Sequence, residues 1–288
     1  MRRTPGAARV SGVFDLHVHA APDVWARRGD DAQIVRWYAE AGFTGCVLKG
    51  HYDATAGRAH AVAAGSGLAV YGGQVLNQHA GGINPAAVAA ALDMGARVIW
   101  MPTADAHTQA AAGLPRLCCQ HTDLADTTYA IPPVDWSVVA EVGQILRLIA
   151  EADAVLATGH LSTAEVTWLL PAARRAGVSR LLMTHPSYTV PAMSPAEAAE
   201  LAQQGAYAEV TAYQLLHQPD CDAARLARFV AEVGYPRIVL SSDAGQPENP
   251  TPPEALARLI DALAAEGLDR SALLACASDI PERLVVPK

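Results

Sequence analysis

The stretch Val13-Phe14-Asp15-Leu16-His17-Val18-His19 sets the terms for reading the chain. In an extended strand Phe14, Leu16 and Val18 fall on one side, and Asp15, His17 and His19 on the other. Imidazoles at positions i and i+2 can grip a single metal ion. The plainer alternative is a strand that ends in two solvent-facing histidines. The choice depends on whether other strands deliver similar groups to the same place.

Comparable apolar and β-branched runs recur along the chain, at 13–17, 43–49, 68–76, 97–102, 154–159, 180–184, 206–211 and 237–241. Their near-continuous apolar character suits parallel strands buried on both faces. Between them, stretches of helical period occupy 31–41, 55–66, 85–95, 136–150, 163–176, 194–204, 220–233 and 252–266. Asn84-Pro85 and Ser194-Pro195 place a polar cap ahead of proline at the first helical position. Eight strand-helix units without a shift in composition predict one domain over 1–288, a single α/β (β/α)8 or TIM barrel. A doubly wound open sheet is the alternative. The fourth and fifth runs are unusually far apart, so a long loop is expected at 104–135, after the fourth strand and over the active face. It carries His107, His121, Cys118, Cys119 and Ile131-Pro132-Pro133.

Of 288 residues, 51% are hydrophobic and 17% charged, which excludes a disordered chain. The formal charge of -8 offers no electrostatic footprint for nucleic acid or an anionic membrane, so a small-molecule substrate is the expected partner. No run approaches the roughly 18 apolar residues of a membrane span, and no signal-peptide core follows the basic start. The five cysteines match neither a redox motif nor a zinc ribbon. A cytoplasmic protein with reduced thiols is expected, and oligomeric state, including a homo-oligomer, stays open.

Nine of the 10 histidines, all but His60, fall at or just beyond the carboxyl end of a predicted strand. Barrel strands bring those ends to one face, whereas core packing has no preference between ends. Thr158-Gly159-His160 closes the fifth strand, Met183-Thr184-His185-Pro186 the sixth and Ser241-Ser242-Asp243 the eighth.

With these positions assembled, the sequence resembles the amidohydrolase superfamily of metal-dependent barrel hydrolases. The resemblance implies that His17, His19, His160, His185 and Asp243 hold one or two divalent metals. Asp15-x-His-x-His-x-x-Pro22 is also similar to the superfamily's decarboxylase-containing branch. The segments Leu76-Asn77, Gly81-Gly82-Ile83-Asn84-Pro85 and Val98-Ile99-Trp100-Met101-Pro102-Thr103 look like an uncharacterised branch. One departure stands out: the bridging lysine or glutamate of two-metal members has no counterpart in Trp100-Met101-Pro102-Thr103. Lys49 instead ends the second strand. It is expected to be a carbamate bridge, an ammonium that holds a substrate anion, or an ion-pair partner of Asp15 or Glu209. Glu209 is a lesser candidate for the bridging position.

Zinc is the expected ion, since imidazole ligands favour it over Mg2+ or Ca2+. Metal-activated water, with Asp243 taking and returning its proton and with His185 free to polarise the carbonyl if only one metal binds, would hydrolyse a small amide, cyclic amide, lactone or related C–N or C–O bond. The alternatives are a metal-dependent decarboxylase or lyase, and a non-catalytic metal-binding barrel. Lys49, His51, Arg27 and Arg28 are the candidate substrate contacts. Tyr188 and Gln246 are expected in the pocket, and Thr55 and Asn84 as helix caps.

Overall fold

The computed structural model describes residues 12–115 and 127–287. Eight strands, β1 (Phe14–Val18), β2 (Gly45–Leu48), β3 (Ala69–Val75), β4 (Val98–Trp100), β5 (Val155–Ala157), β6 (Arg180–Met183), β7 (Tyr207–Thr211) and β8 (Ile238–Ser241), pair in parallel in that order. The sheet curls until β8 meets β1. Asp243 N–H donates to His17 O and His19 N–H to Ala244 O, both at 2.8 Å. The result is the (β/α)8 barrel; the open sheet is not formed.

Helices α1 (Asp31–Ala41), α2 (Ala56–Ala63), α3 (Pro85–Asp93), α4 (His107–Ala111), α5 (Val139–Glu151), α6 (Thr163–Arg175), α7 (Pro195–Gln203), α8 (Ala212–His217), α9 (Ala223–Val233), α10 (Pro252–Ala265), α11 (Arg270–Ala277) and α12 (Asp279–Val285) surround it. Their apolar faces turn inward, as with Leu226, Phe229 and Val230 of α9. Capping boxes at Asp30, Ser162 and Ser194 start α1, α6 and α7. Asn84 caps α3 as expected, accepting from Ala86 N at 2.9 Å. Thr55 does not cap α2. Its hydroxyl donates to Leu48 O at 2.6 Å and accepts from Gly73 N at 2.9 Å, so it ties β2 to β3.

Helices α4, α8, α11 and α12 were not anticipated. The last two close the end of the barrel away from the strands' carboxyl ends. Arg180, buried and paired with Asp153 at 2.6 Å, also donates to Arg283 O at 3.0 Å and Leu284 O at 2.6 Å. Arg97 donates to Val285 O at 3.0 Å.

The loop after β4 is long, as expected, and contains α4; His121, Cys118 and Cys119 lie outside the described residues. Cys46, Cys221 and Cys276 are free thiols. No helix among the described residues is long and apolar enough to cross a membrane.

Candidate metal centre

β1 ends in the most enclosed part of the site. His17 is fully buried, with Nδ1 3.0 Å from Glu209 Oε1 and Nε2 3.0 Å from Asp243 Oδ1. His19 Nε2 lies 3.1 Å from the same Asp243 oxygen. The ligand atoms of His17, His19 and Asp243 therefore all fall within 4.8 Å of one another. Asp243 is held at φ 47°, in the left-handed region that few non-glycine residues occupy. Two positions on, Gly245 has φ 130°, and a Cβ there would sit 2.1 Å from His19 O, so only glycine lets the chain after β8 approach β1 this closely.

Glu209, from β7, is the hub behind this corner. Besides His17 it accepts from Ser241 Oγ at 2.5 Å and from His185 N at 3.2 Å. A carboxylate on Nδ1 fixes the His17 ring and directs Nε2 toward Asp243. Burial and the Lys49 charge push His17 down, but Asp243 and Glu209 overcome both and raise it to about 9. Burial works to raise Asp243 and Glu209, yet His17 holds both below the usual carboxylate range, with His19 also acting on Asp243.

Asp15 departs from the expected parity. The β1–β2 register shifts between Asp15 and Val18. Asp15 instead accepts from Tyr38 Oη on α1 at 2.5 Å, Ser242 N at 3.0 Å and His17 N at 3.1 Å. Burial pushes its carboxyl up, partly offset by these hydrogen bonds. It braces the β1–β8 closure from behind and does not line the cavity.

A cavity of about 430 Å³ opens in front, lined by His19, Arg27, Lys49, His51, His160, His185, Asp243 and others. Tyr188 and Gln246 also line it, as expected, together with Tyr213, Trp25 and Gln109. His160 and His185, from the ends of β5 and β6, have ring centres 5.0 Å apart, and the His17 and His185 rings are 6.1 Å apart. Gln109 on α4 reaches His160, with Oε1 3.0 Å from Nδ1. Thr108 donates to the His160 carbonyl. His185 sits at φ 23°, and its Nδ1 is buried with no hydrogen-bond partner among the described residues. Burial pushes His185 down to about 4, and His19, His51 and His160 well below the ordinary imidazole value.

Lys49 is buried, with Nζ 2.9 Å from His17 Nε2 and 5.4 Å above the Trp100 ring. Burial lowers its affinity for a proton while Asp243 and Glu209 oppose that. Among the described residues no hydrogen bond or ion pair joins it to Asp15, while Glu209, the other expected partner, acts on it through its charge. Arg27 lines the cavity, pairs with Asp23 at 2.7 Å and approaches His19 Nδ1 at 3.4 Å. Arg28 is different: exposed, it donates to Pro247 O at 3.0 Å and does not line the cavity, so the expected Arg27–Arg28 clamp is divided.

Two imidazoles and a carboxylate with converging atoms are the donor set of a divalent catalytic site that keeps positions open for water and substrate. The partnerless His185 Nδ1 fits the same picture, since a buried polar atom normally has a partner. The residues present thus suit a divalent cation, which His17, His19 and Asp243 would hold.

The model of the family of unknown function DUF6282 matches residues 12–209. The chain belongs to that family. No curated protein matches the sequence. The fold of this DUF6282 chain is similar to that of an amidohydrolase from Pseudomonas aeruginosa, with 11% identity over 96% of this chain and 95% of that one, and a TM-score of 0.63. It is also similar to an organophosphorus hydrolase from Deinococcus radiodurans (13% identity, 98% and 94% covered, TM-score 0.59). A third is an N-acetyl-D-glucosamine-6-phosphate deacetylase from Mycobacterium smegmatis (16% identity, 95% and 76% covered, TM-score 0.54). At such identities the likeness is one of fold.

The sequence reading of this DUF6282 site missed Gln109, Tyr213 and the tie between Thr103 and His51. Gln109 had no signal, because its partner His160 is 51 residues away and α4 is only five residues long.

Proposed function

We propose that the protein is a metal-dependent hydrolase of a small amide, cyclic amide, lactone or related C–N or C–O bond. The observation that carries this reading is the convergence of His17 Nε2, His19 Nε2 and Asp243 Oδ1 beside a cavity sized for a small molecule. The similar structures, a deacetylase and an organophosphorus hydrolase among them, support hydrolysis as the reaction class. Zinc is the ion the donor set favours. The protein acts as one cytoplasmic domain on a small molecule, with neither nucleic acid nor membrane as partner.

A bound divalent cation supplies an acidified water and a polarised substrate oxygen. The chain's own groups do the rest. Glu209 holds His17 by Nδ1. Asp243 accepts the attacking water's proton on its carboxylate and delivers it to the leaving nitrogen or oxygen. His185 steadies the negative charge that develops on the carbonyl oxygen. Lys49, Arg27 and His51 orient the substrate from the β1–β2 side.

Elemental analysis of purified protein, with hydrolysis assays on an amide and lactone panel before and after chelation, tests the reading. One or two equivalents of metal and chelator-sensitive hydrolysis are expected. Metal below about 0.2 equivalents after zinc-supplemented expression would sink it, and carbon dioxide release without water uptake would turn it into the decarboxylase reading.

A further inference from the structure

His51 follows β2 and lies flat against His19, with ring centres 4.8 Å apart and planes 13° apart. Its Nδ1 is 3.1 Å from Thr103 Oγ1. Which of the two carries the shared proton follows from Asn77, whose amide orientation is set by its own partners. Asn77 Oδ1 accepts from Thr103 N at 2.9 Å and from Asp105 N at 3.2 Å, so that atom is the oxygen. Its Nδ2 then donates to His51 O at 3.0 Å and to Thr103 Oγ1 at 2.9 Å.

The Thr103 hydroxyl thus already receives a hydrogen bond, and its own proton has one remaining direction, toward His51 Nδ1. Were His51 to donate from Nδ1 instead, a hydroxyl with no exposed surface would keep an unpaired proton, which costs free energy that the first arrangement avoids. With Nδ1 accepting, the proton of the neutral ring is on Nε2. That nitrogen has no protein partner among the described residues, and its ring lines the cavity.

We propose that His51 is a substrate-binding residue that meets its ligand through an Nε2–H donor, fixed in that tautomer by Thr103 and Asn77, and that it selects substrates carrying a carboxylate or carbonyl oxygen. This rests on the hydrolase reading for its substrate, though the proton's location does not. Asn77 and Thr103 are positioning residues: they act through His51 and touch no ligand themselves.

Ring-nitrogen NMR on full-length protein labelled with 15N-histidine reads the tautomer directly, with acetate as the probe ligand. One ring, absent from His51→Phe, should show a protonated Nε2 and an unprotonated Nδ1. Thr103→Ser should keep that pattern and Thr103→Val should lose it. Acetate should move the His51 Nε2–H signal, and His51→Phe should weaken acetate binding about tenfold. A proton on Nδ1 in the wild type overturns the inference, as does a His51 signal that saturating acetate leaves unmoved. Metal content and hydrolysis measured on the same samples separate the failures. A metal-bearing hydrolase with the wrong tautomer sinks this inference alone, whereas metal-free protein with the expected tautomer sinks only the functional reading.

Discussion

The two sides of the cavity are built differently. At the β1–β8 corner every ligand atom has a partner: His17 is held by Glu209, His19 and His17 share one Asp243 oxygen, and Asp15 braces the strands from behind. At the β5–β6 corner His160 leans on Gln109 from a loop helix, and His185 leaves Nδ1 without a partner. A corner preorganised by buried carboxylates binds a cation with little rearrangement, while one held by a neutral amide must be completed by whatever binds. On the metal-dependent reading proposed above, a first cation would sit between β1 and β8, and the β5–β6 pair would complete the site around substrate or a second ion.

The sharpest way to break this contrast is to remove its stronger half. His17→Ala or Asp243→Asn should abolish metal binding and leave less than about a tenth of wild-type turnover, while circular dichroism stays unchanged because barrel stability resides mainly in the interior and the opposite face. His160→Ala should keep the first equivalent. If His160→Ala strips all metal and His17→Ala does not, the two corners have been ranked the wrong way round.

A smaller effect is expected one layer further out. Glu209→Gln should weaken the first cation by roughly 10- to 100-fold, as loss of a carboxylate behind a ligating histidine does elsewhere. Gln109→Leu should leave that affinity alone and act only on a second equivalent, with Gln109→Glu restoring it. Competition with a calibrated chelator measures both, and equal losses in Glu209→Gln and Gln109→Leu would erase the distinction.

Much of this contrast could be read from residues alone, and the reasons it could not be completed are physical. The strands and the principal helices follow from periodicity and capping, which are local. So does the gathering of His17, His19, His160, His185 and Asp243, because strand direction in a barrel sends every carboxyl end to one face. The side-chain direction of Asp15 was misjudged because a register shift inside β1 breaks the alternation that parity relies on. Gln109 and the Asn77–Thr103–His51 tie depend on loop conformation, which no period encodes. Thr55 looked like a cap because it precedes a helix, but its hydroxyl is used between strands.

The same corner predicts a pH signature in chelator-treated protein. His17 is raised from 6.5 to about 9 by Asp243 and Glu209 despite burial. A raised folded value means stability fully present below pH 6.5 and lost as pH climbs toward 9, on the order of 3 kcal/mol. Urea unfolding between pH 6 and 9.5 should show this decline in the wild type and a flatter profile in Asp243→Asn, which lacks the main charge that raises His17. A wild-type profile that rises over this range would contradict the assignment.

The smallest expected effect concerns Lys49, the residue that departs from the pattern of two-metal barrels. Its Nζ lies 2.9 Å from His17 Nε2 and on the cavity wall, so it can act either on a cation or on a substrate anion. As a carbamate it would help hold a second ion, and Lys49→Ala would lower bound metal from about two equivalents to about one, with bicarbonate restoring nothing. As an ammonium it repels a cation at His17, so the same substitution should leave metal content equal or higher. Asp243 and Glu209 favour the charged amine against burial, and its approach from β2, on the side of His17 and His19, suits a clamp. We expect unchanged metal, an unchanged kcat and a KM for an anionic substrate about tenfold higher, in keeping with loss of one charge-assisted contact. A neutral substrate should show no such rise. Loss of one metal equivalent in Lys49→Ala would move Lys49 from the substrate to the metal, and would give the β1–β8 corner both ions.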